Sequence, residues 1–189
     1  MNGLCFPLQA DAADKELERV SDVPSKINDY VVDAVVESLG HADYQRKFER
    51  IEEPDDADLS KIPLVALMGF TGEKVSGHMV FACSAEFLRL TNPIKDVPSG
   101  KEDAYARDWL GEILNIVVGQ FKRKMANHGF SFTVTTPSFQ HYVRTSAMTL
   151  EEYGPARYGD DGAFQDYWFQ LGKLYVALQI GIKLKAPLQ

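Results

Sequence analysis

Apolar side chains recur three and four residues apart at Ile27, Val31, Ala34, Val35 and Leu39, which gathers them on one face of a helix. Ser25 stands where an N-cap belongs and Gly40 where the chain leaves that helix. The stretch "EEPDDADLS" at 52–60 breaks the rhythm with a proline and a run of acids. Two apolar runs follow, "KIPLVALMGF" and "KVSGHMVFAC", joined through "TGEK"; they predict a β-hairpin. Ser84 then opens a short helix through Phe87, Leu88 and Leu90. Asn92-Pro93 ends it, because the residue before a proline is pushed out of the helical region.

A long helix is predicted from about Asp103 to Asn127, closing in "NHGF" with Gly129 free to take the left-handed conformation after its end. "FSFTVTTP" alternates Phe130, Phe132 and Val134 with small polar residues, as a half-buried strand does. "AFQDYWFQLGKLYVALQIGIKL" reads as two long strands joined near Leu171-Gly172-Lys173. The order is helix, two strands, helix, helix, strand, loop, two strands. A doubly wound parallel sheet needs a crossover helix after each strand, so this order predicts instead an α+β sandwich. Its sheet is antiparallel or mixed, with helices packed on one face. Residues 1–24 are polar and weakly periodic and read as an N-terminal extension, with one domain over 25–189.

The long helix carries the candidate chemistry. Wound at about 100° per residue, Trp109, Leu110, Ile113, Leu114, Ile116, Val117 and Phe121 fall on one broad apolar arc. Asp108, Glu112, Asn115, Gly119 and Lys122 follow a helical rhythm on the other side. Glu112 and Asn115, three apart, are neighbours at about 5–6 Å on that stripe. Gly111 and Gly119 remove bulk beside them, although a glycine inside a helix costs about 1 kcal/mol against alanine. Spacing alone favours an ordinary solvated face, because an acid and an amide three apart occur on many helices.

Composition narrows the alternatives. A net charge of −7 disfavours nucleic acid and anionic lipid as partners, since both need clustered Lys and Arg. Two cysteines, Cys5 and Cys83, make a structural disulfide an unneeded assumption and point to a reducing cytoplasm. No signal peptide and no run of apolar residues long enough to span a membrane is visible. His41, His78, His128 and His141 are scattered without paired ligands, so no metal site of the chain's own is expected. His128 reads as a favourable residue near a helix end. The aromatic group Tyr153, Tyr158, Phe164, Tyr167, Trp168 and Phe169 reads mainly as strand-borne core, and Asp160-Asp161-Gly162 as a turn.

"ARDWLGEILNIVVGQFKRKM" resembles the signature helix of the CheC/CheX chemotaxis phosphatase family, in which an acid and an asparagine three residues on are followed by a glycine four further along. Here these are Glu112, Asn115 and Gly119. "GFTGEKVSGHMVFACSAEFLRLTN" is similar to that family's hairpin and short helix, and "FSFTVTTPSF" to the strand after the signature helix. The first helix, "KINDYVVDAVVESLG", has no second copy of the motif, so the resemblance is to the single-site, CheX-like type.

The resemblance implies a phosphatase for the phosphoaspartate of a response-regulator receiver domain. Asn115 is expected to orient the attacking water and Glu112 to clamp the partner's active-site lysine. Asp108, Gly111, Gly119 and Lys122 are expected to border the docked partner. Mg²⁺ is expected in the receiver, with no cofactor held by this chain. A homodimer joined through sheet edges or exchanged strands is also implied, the long C-terminal strands being taken as an open edge. The other reading is an adaptor of the same fold that binds a receiver domain or another signalling protein without catalysis.

Overall fold

The computed structural model describes residues 26–39, 48–54, 64–141 and 163–185. Residues 26–39 form helix α1, and Ile27, Val31, Ala34, Val35 and Leu39 are all buried, as their spacing predicts. Ser25, Gly40, the expected N-terminal extension and the Asp160-Asp161-Gly162 turn lie outside the described residues. Among the described residues seven strands follow: β1 (Phe48–Ile51), β2 (Leu64–Thr71), β3 (Val75–Cys83), β4 (Thr133–Val134), β5 (Ser138–His141), β6 (Ala163–Leu171) and β7 (Leu174–Leu184). Helices α2 (Ala85–Thr91) and α3 (Glu102–Ala126) lie between β3 and β4 in the chain.

The strands make one sheet in the order β1-β6-β7-β3-β2-β4, with β5 also on β2. Every pairing is antiparallel. Alternation along the strands sends Met68, Phe70, Met79, Phe81, Val176 and Leu178 to one face, where they join α1, α2 and α3 in a single core. A smaller cluster of Val65, Val80, Ala82, Trp168 and Ala177 occupies the other face. Burial raises the Cys83 thiol well above its ordinary range, so Cys83 is a core residue without thiolate reactivity.

The local signals act where the sequence places them. Ser84 caps α2 by accepting from the Phe87 backbone N–H at 3.1 Å, and the helix stops at Asn92. Gly129, with φ of 80°, turns the chain out of α3, and Gly172, with φ of 64°, closes the β6–β7 hairpin. Tyr167, Trp168 and Phe169 are buried, as expected of core strands. Burial pushes the Tyr167 hydroxyl up to about 12, and it donates to Asn28 Oδ1 at 2.6 Å, tying β6 to α1.

Four expectations need correction. β1 was not foreseen: in "FERI" only Phe48 is buried, so an edge strand of this length leaves no alternating pattern to read. The strand expected after α3 is two short pieces, β4 and β5. Thr135 stands between them, exchanging bonds with Gly69 through its backbone N–H and its Oγ1, both at 2.9 Å, and Pro137, which has no N–H to donate, follows. Val134 is exposed there, not half-buried. Finally, β7 is interior, paired with β3 and β6 over its length, so the C-terminal strands are not an open edge. Among the described strands, the edges are β1 on one side and β4 with β5 on the other.

Ion pairs and a stacked ring pair fix α1 against the end of α3. Lys124 Nζ donates to Glu37 Oε1 at 2.7 Å and to Asp33 Oδ2 at 3.3 Å, and Arg123 Nη2 donates to Glu37 Oε2 at 3.2 Å. The Tyr30 and His128 rings stack at 5.0 Å and share a hydrogen bond, so His128 serves packing against α1. The Glu37 hydrogen bond, with Asp33 beside it, holds the Lys124 ammonium above the ordinary lysine range. A raised pKa of this sign gives stability that is complete below the unfolded lysine value and lost as pH climbs through the folded one. Both acids are more than a third exposed, which keeps the contribution near the surface-pair range of about 1 kcal/mol. Lys124→Met is therefore expected to lower the melting temperature by about 2–4 °C at neutral pH. The gap from wild type should close as the pH passes above the lysine range, as thermal melts at pH 7 and in strong alkali will show.

Candidate functional site

The site is the outward face of α3. The inward face is set by packing: Phe121 lies against Phe70 and Phe132 with ring centroids 6.0 Å away in each case, and Leu110, Ile113, Leu114, Val117 and Val118 are buried beside it. At the start of the helix the Trp109 indole donates to Thr91 Oγ1 at 2.9 Å, locking α3 to α2. A helix held along one flank by an aromatic core and at its start by this bond cannot roll. Its other face is presented at a fixed angle.

Taking Gly111 as origin, Lys122, Asn115, Asp108, Gly119, Glu112 and Ile116 follow round the helix at about 20°, 40°, 60°, 80°, 100° and 140°. Asp108, Glu112, Asn115 and Gly119 are exposed and Lys122 is half-buried. The stripe read from the sequence is therefore a real surface. Ile116 departs from expectation: assigned to the apolar arc, it lies 41% exposed beside Glu112. The buried arc is shifted, with Gly111 and Val118 at its other border.

Among the described residues, neither Glu112 nor Asn115 takes a side-chain hydrogen bond or ion pair. Both end groups are open to a visiting molecule. The two glycines divide. A Cβ on Gly119 would meet nothing within 4 Å among the described residues, so none of them requires the missing side chain. A Cβ on Gly111 would lie 2.9 Å from Phe139 Cζ, so the place of close approach expected there for a partner is filled by Phe139 of this chain. β5 pairs Phe139 with Ala66, which puts the ring on the helix-bearing face at the sheet edge. Sequence reading missed Phe139 because β5 is too short to show alternation.

The pair lies outside two cavities that described residues line. Described residues line a cavity of about 500 Å³ beside β1 and β6, from Arg50 to Glu53 and Asp166 to Trp168, and another of about 410 Å³ between α2 and the first turn of α3. Glu112 and Asn115 line neither. Small molecules are bound in enclosed pockets, whereas an exposed acid and amide on a convex helix suit insertion into a partner's cleft. Among the described residues no group of three or more His, Cys, Asp or Glu comes together as a metal site. No helix there is long and apolar enough to cross a membrane.

Comparison with known proteins bears on the fold that carries this helix. The family model described as chemotaxis phosphatase CheX matches residues 64–151, which include α3, β4 and β5. No curated protein matches the chain in sequence. Among solved structures, the chemotaxis protein CheX from Vibrio vulnificus superposes with a TM-score of 0.64 at 17% identity, covering 84% of this chain and 99% of that one. A CheC-like superfamily protein from Shewanella sp. PV-4 gives 0.62 at 16% identity, covering 84% and 97%. CheX in a CheX–CheY–BeF3–Mg²⁺ complex from Borrelia burgdorferi gives 0.59 at 16% identity, covering 82% and 96%. At these identities the structures establish the fold. The likeness to the CheC/CheX chemotaxis phosphatase family is thereby borne out, in sequence over residues 64–151 and in fold over the sheet and its helices.

Proposed function

We propose that this chain is a phosphatase acting on the phosphoaspartate of a response-regulator receiver domain. The observation that carries the reading is the exposed, unpaired Glu112–Asn115 couple on a helix fixed in the core, beside the open surface of Gly119. The neighbouring CheX from Borrelia burgdorferi, solved in a complex with CheY, BeF3 and Mg²⁺, supports a receiver as the partner.

The chemistry asks little of the catalyst. An acyl phosphate is already reactive, so its hydrolysis is hastened mainly by holding a water in line with phosphorus. The Asn115 amide offers a donor and an acceptor on one rigid group, which holds a water by its hydrogen and leaves an oxygen lone pair toward the phosphoryl group. Glu112, one turn along, pairs with the receiver's lysine; a charge-assisted bond of this kind fixes the register of the helix in the cleft. Mg²⁺ belongs to the receiver in this reading and offsets phosphoryl charge. Asp108 and Lys122 border the docked surface, and Gly119 lets the receiver's backbone approach α3.

The chain is further proposed to form a homodimer through a sheet edge. β1 is the edge this reading favours, because β4 and β5 border the Glu112–Asn115 face. Light scattering at micromolar concentrations is expected to give twice the chain mass of 21.2 kDa; a monomer throughout that range removes the dimer from the proposal.

Phosphate release from phosphorylated receivers of the same organism tests the catalytic reading. Asn115→Ala is expected to lower the rate by about 10²–10³-fold while leaving binding nearly intact, because the lost contact acts in the transition state. Glu112→Ala should weaken binding and rate together. Gly119→Leu should melt no lower than wild type and yet bind poorly, since it fills space only a partner uses. Full activity in Asn115→Ala, or no activity of wild type toward any of these receivers, leaves the helix a binding surface and favours the adaptor.

A further inference from the structure

Large apolar side chains exposed on the described surface are Val36, Leu90, Ile94, Ile116, Val134 and Phe139. Two of them, Phe139 and Ile116, border the Glu112–Asn115 face. Phe139, 41% exposed, lies over Gly111, on the flank nearest Asn115. Val134, 44% exposed, is paired with Phe70, which puts it on the same helix-bearing face at the same sheet edge. Phe70 meets Phe121, so Val134 stands farther along the helix than Phe139. Ile116, 41% exposed, stands on the opposite flank, one turn from Glu112. The polar couple thus has an apolar rail on either side.

Single exposed apolar residues need no explanation, but apolar residues flanking polar groups without partners do. In water the exposed part of each rail residue costs solubility. Against a partner they exclude water around the couple, which strengthens hydrogen bonds and ion pairs formed there. Gly111 has a role in this arrangement. An alanine there would make the Phe139 ring shift, because the new Cβ and Cζ would be 2.9 Å apart.

Resting on the receiver as partner, we propose that Phe139 and Val134 on one side and Ile116 on the other form the contact rim on which the receiver domain seats. The Phe139 ring, set in place by Gly111, is a positioning residue that fixes the depth at which Asn115 enters the receiver's cleft. The occupant is the receiver because the rails enclose the same two side chains that act on its phosphoaspartate. A partner that engaged the rails alone would bury Glu112 without a counter-charge, which is costly.

The test uses the full chain and a receiver whose aspartate carries beryllofluoride in place of the phosphoryl group, with phosphate release measured in parallel. Phe139→Ala and Ile116→Ala are each expected to weaken binding and raise KM by about tenfold, the loss that follows when water regains the Glu112–Asn115 couple. Phe139→Leu should recover most of the binding. Gly111→Ala should lower kcat more than it weakens binding, a split that simple loss of contact area does not give. Val36→Ala, on α1, is the control expected to match wild type. Ile116→Ala places the best helix former at an exposed site and so folds whatever becomes of the Phe139 variants. Binding and turnover unchanged in Phe139→Ala and Ile116→Ala overturn the rim while leaving catalysis standing. Binding without turnover, with the tenfold losses present, supports the rim and refutes catalysis. No binding of any receiver by wild type overturns both.

Discussion

Everything proposed for the surface depends on the aromatic contact of Phe121 with Phe70 and Phe132. It joins α3 to the strand that borders β4 and β5, and so fixes which side of the helix faces out. The arc of Leu110, Leu114, Val117 and Val118 follows from that contact, and the Trp109–Thr91 bond holds the other end. Two polar side chains then keep their angle to the sheet edge without making a bond of their own. A pair that waits unbonded for a partner can be precise only if the helix beneath it is rigid.

The same constraint explains the unequal glycines. Gly111 is on the packed border and its missing side chain is used inside the molecule, as the seat of Phe139. Gly119 is on the open border and its missing side chain is used by nothing among the described residues. A helix carrying an unneeded glycine gives up stability, and such a concession fits a surface shaped for something outside it.

Much of this was legible from sequence because the informative residues sit in long periodic elements. α1, the β2–β3 hairpin, α2, α3 and the β6–β7 hairpin each have enough residues to show their period, and their ends carry Ser84, Asn92-Pro93, Gly129 and Gly172. Glu112, Asn115 and Gly119 could be placed on one stripe for the same reason. What escaped was short or set by tertiary contact. β1, β4 and β5 have four residues or fewer each, too few to reveal a period. Ile116 is exposed, against expectation, because the sheet lies about 60° round the helix from where periodicity alone centres the apolar arc. The interior place of β7 is a matter of strand order, which no local pattern encodes.

The central claim is that the amide on α3 enters the receiver's cleft and addresses its phosphoryl group. A crystal structure of this chain bound to a receiver carrying beryllofluoride on its aspartate tests it most directly. The account predicts the Asn115 amide about 3 Å from a water in line with the aspartyl oxygen, and Glu112 paired with a receiver lysine. A receiver seated on another face, with Asn115 still in solvent, would contradict it.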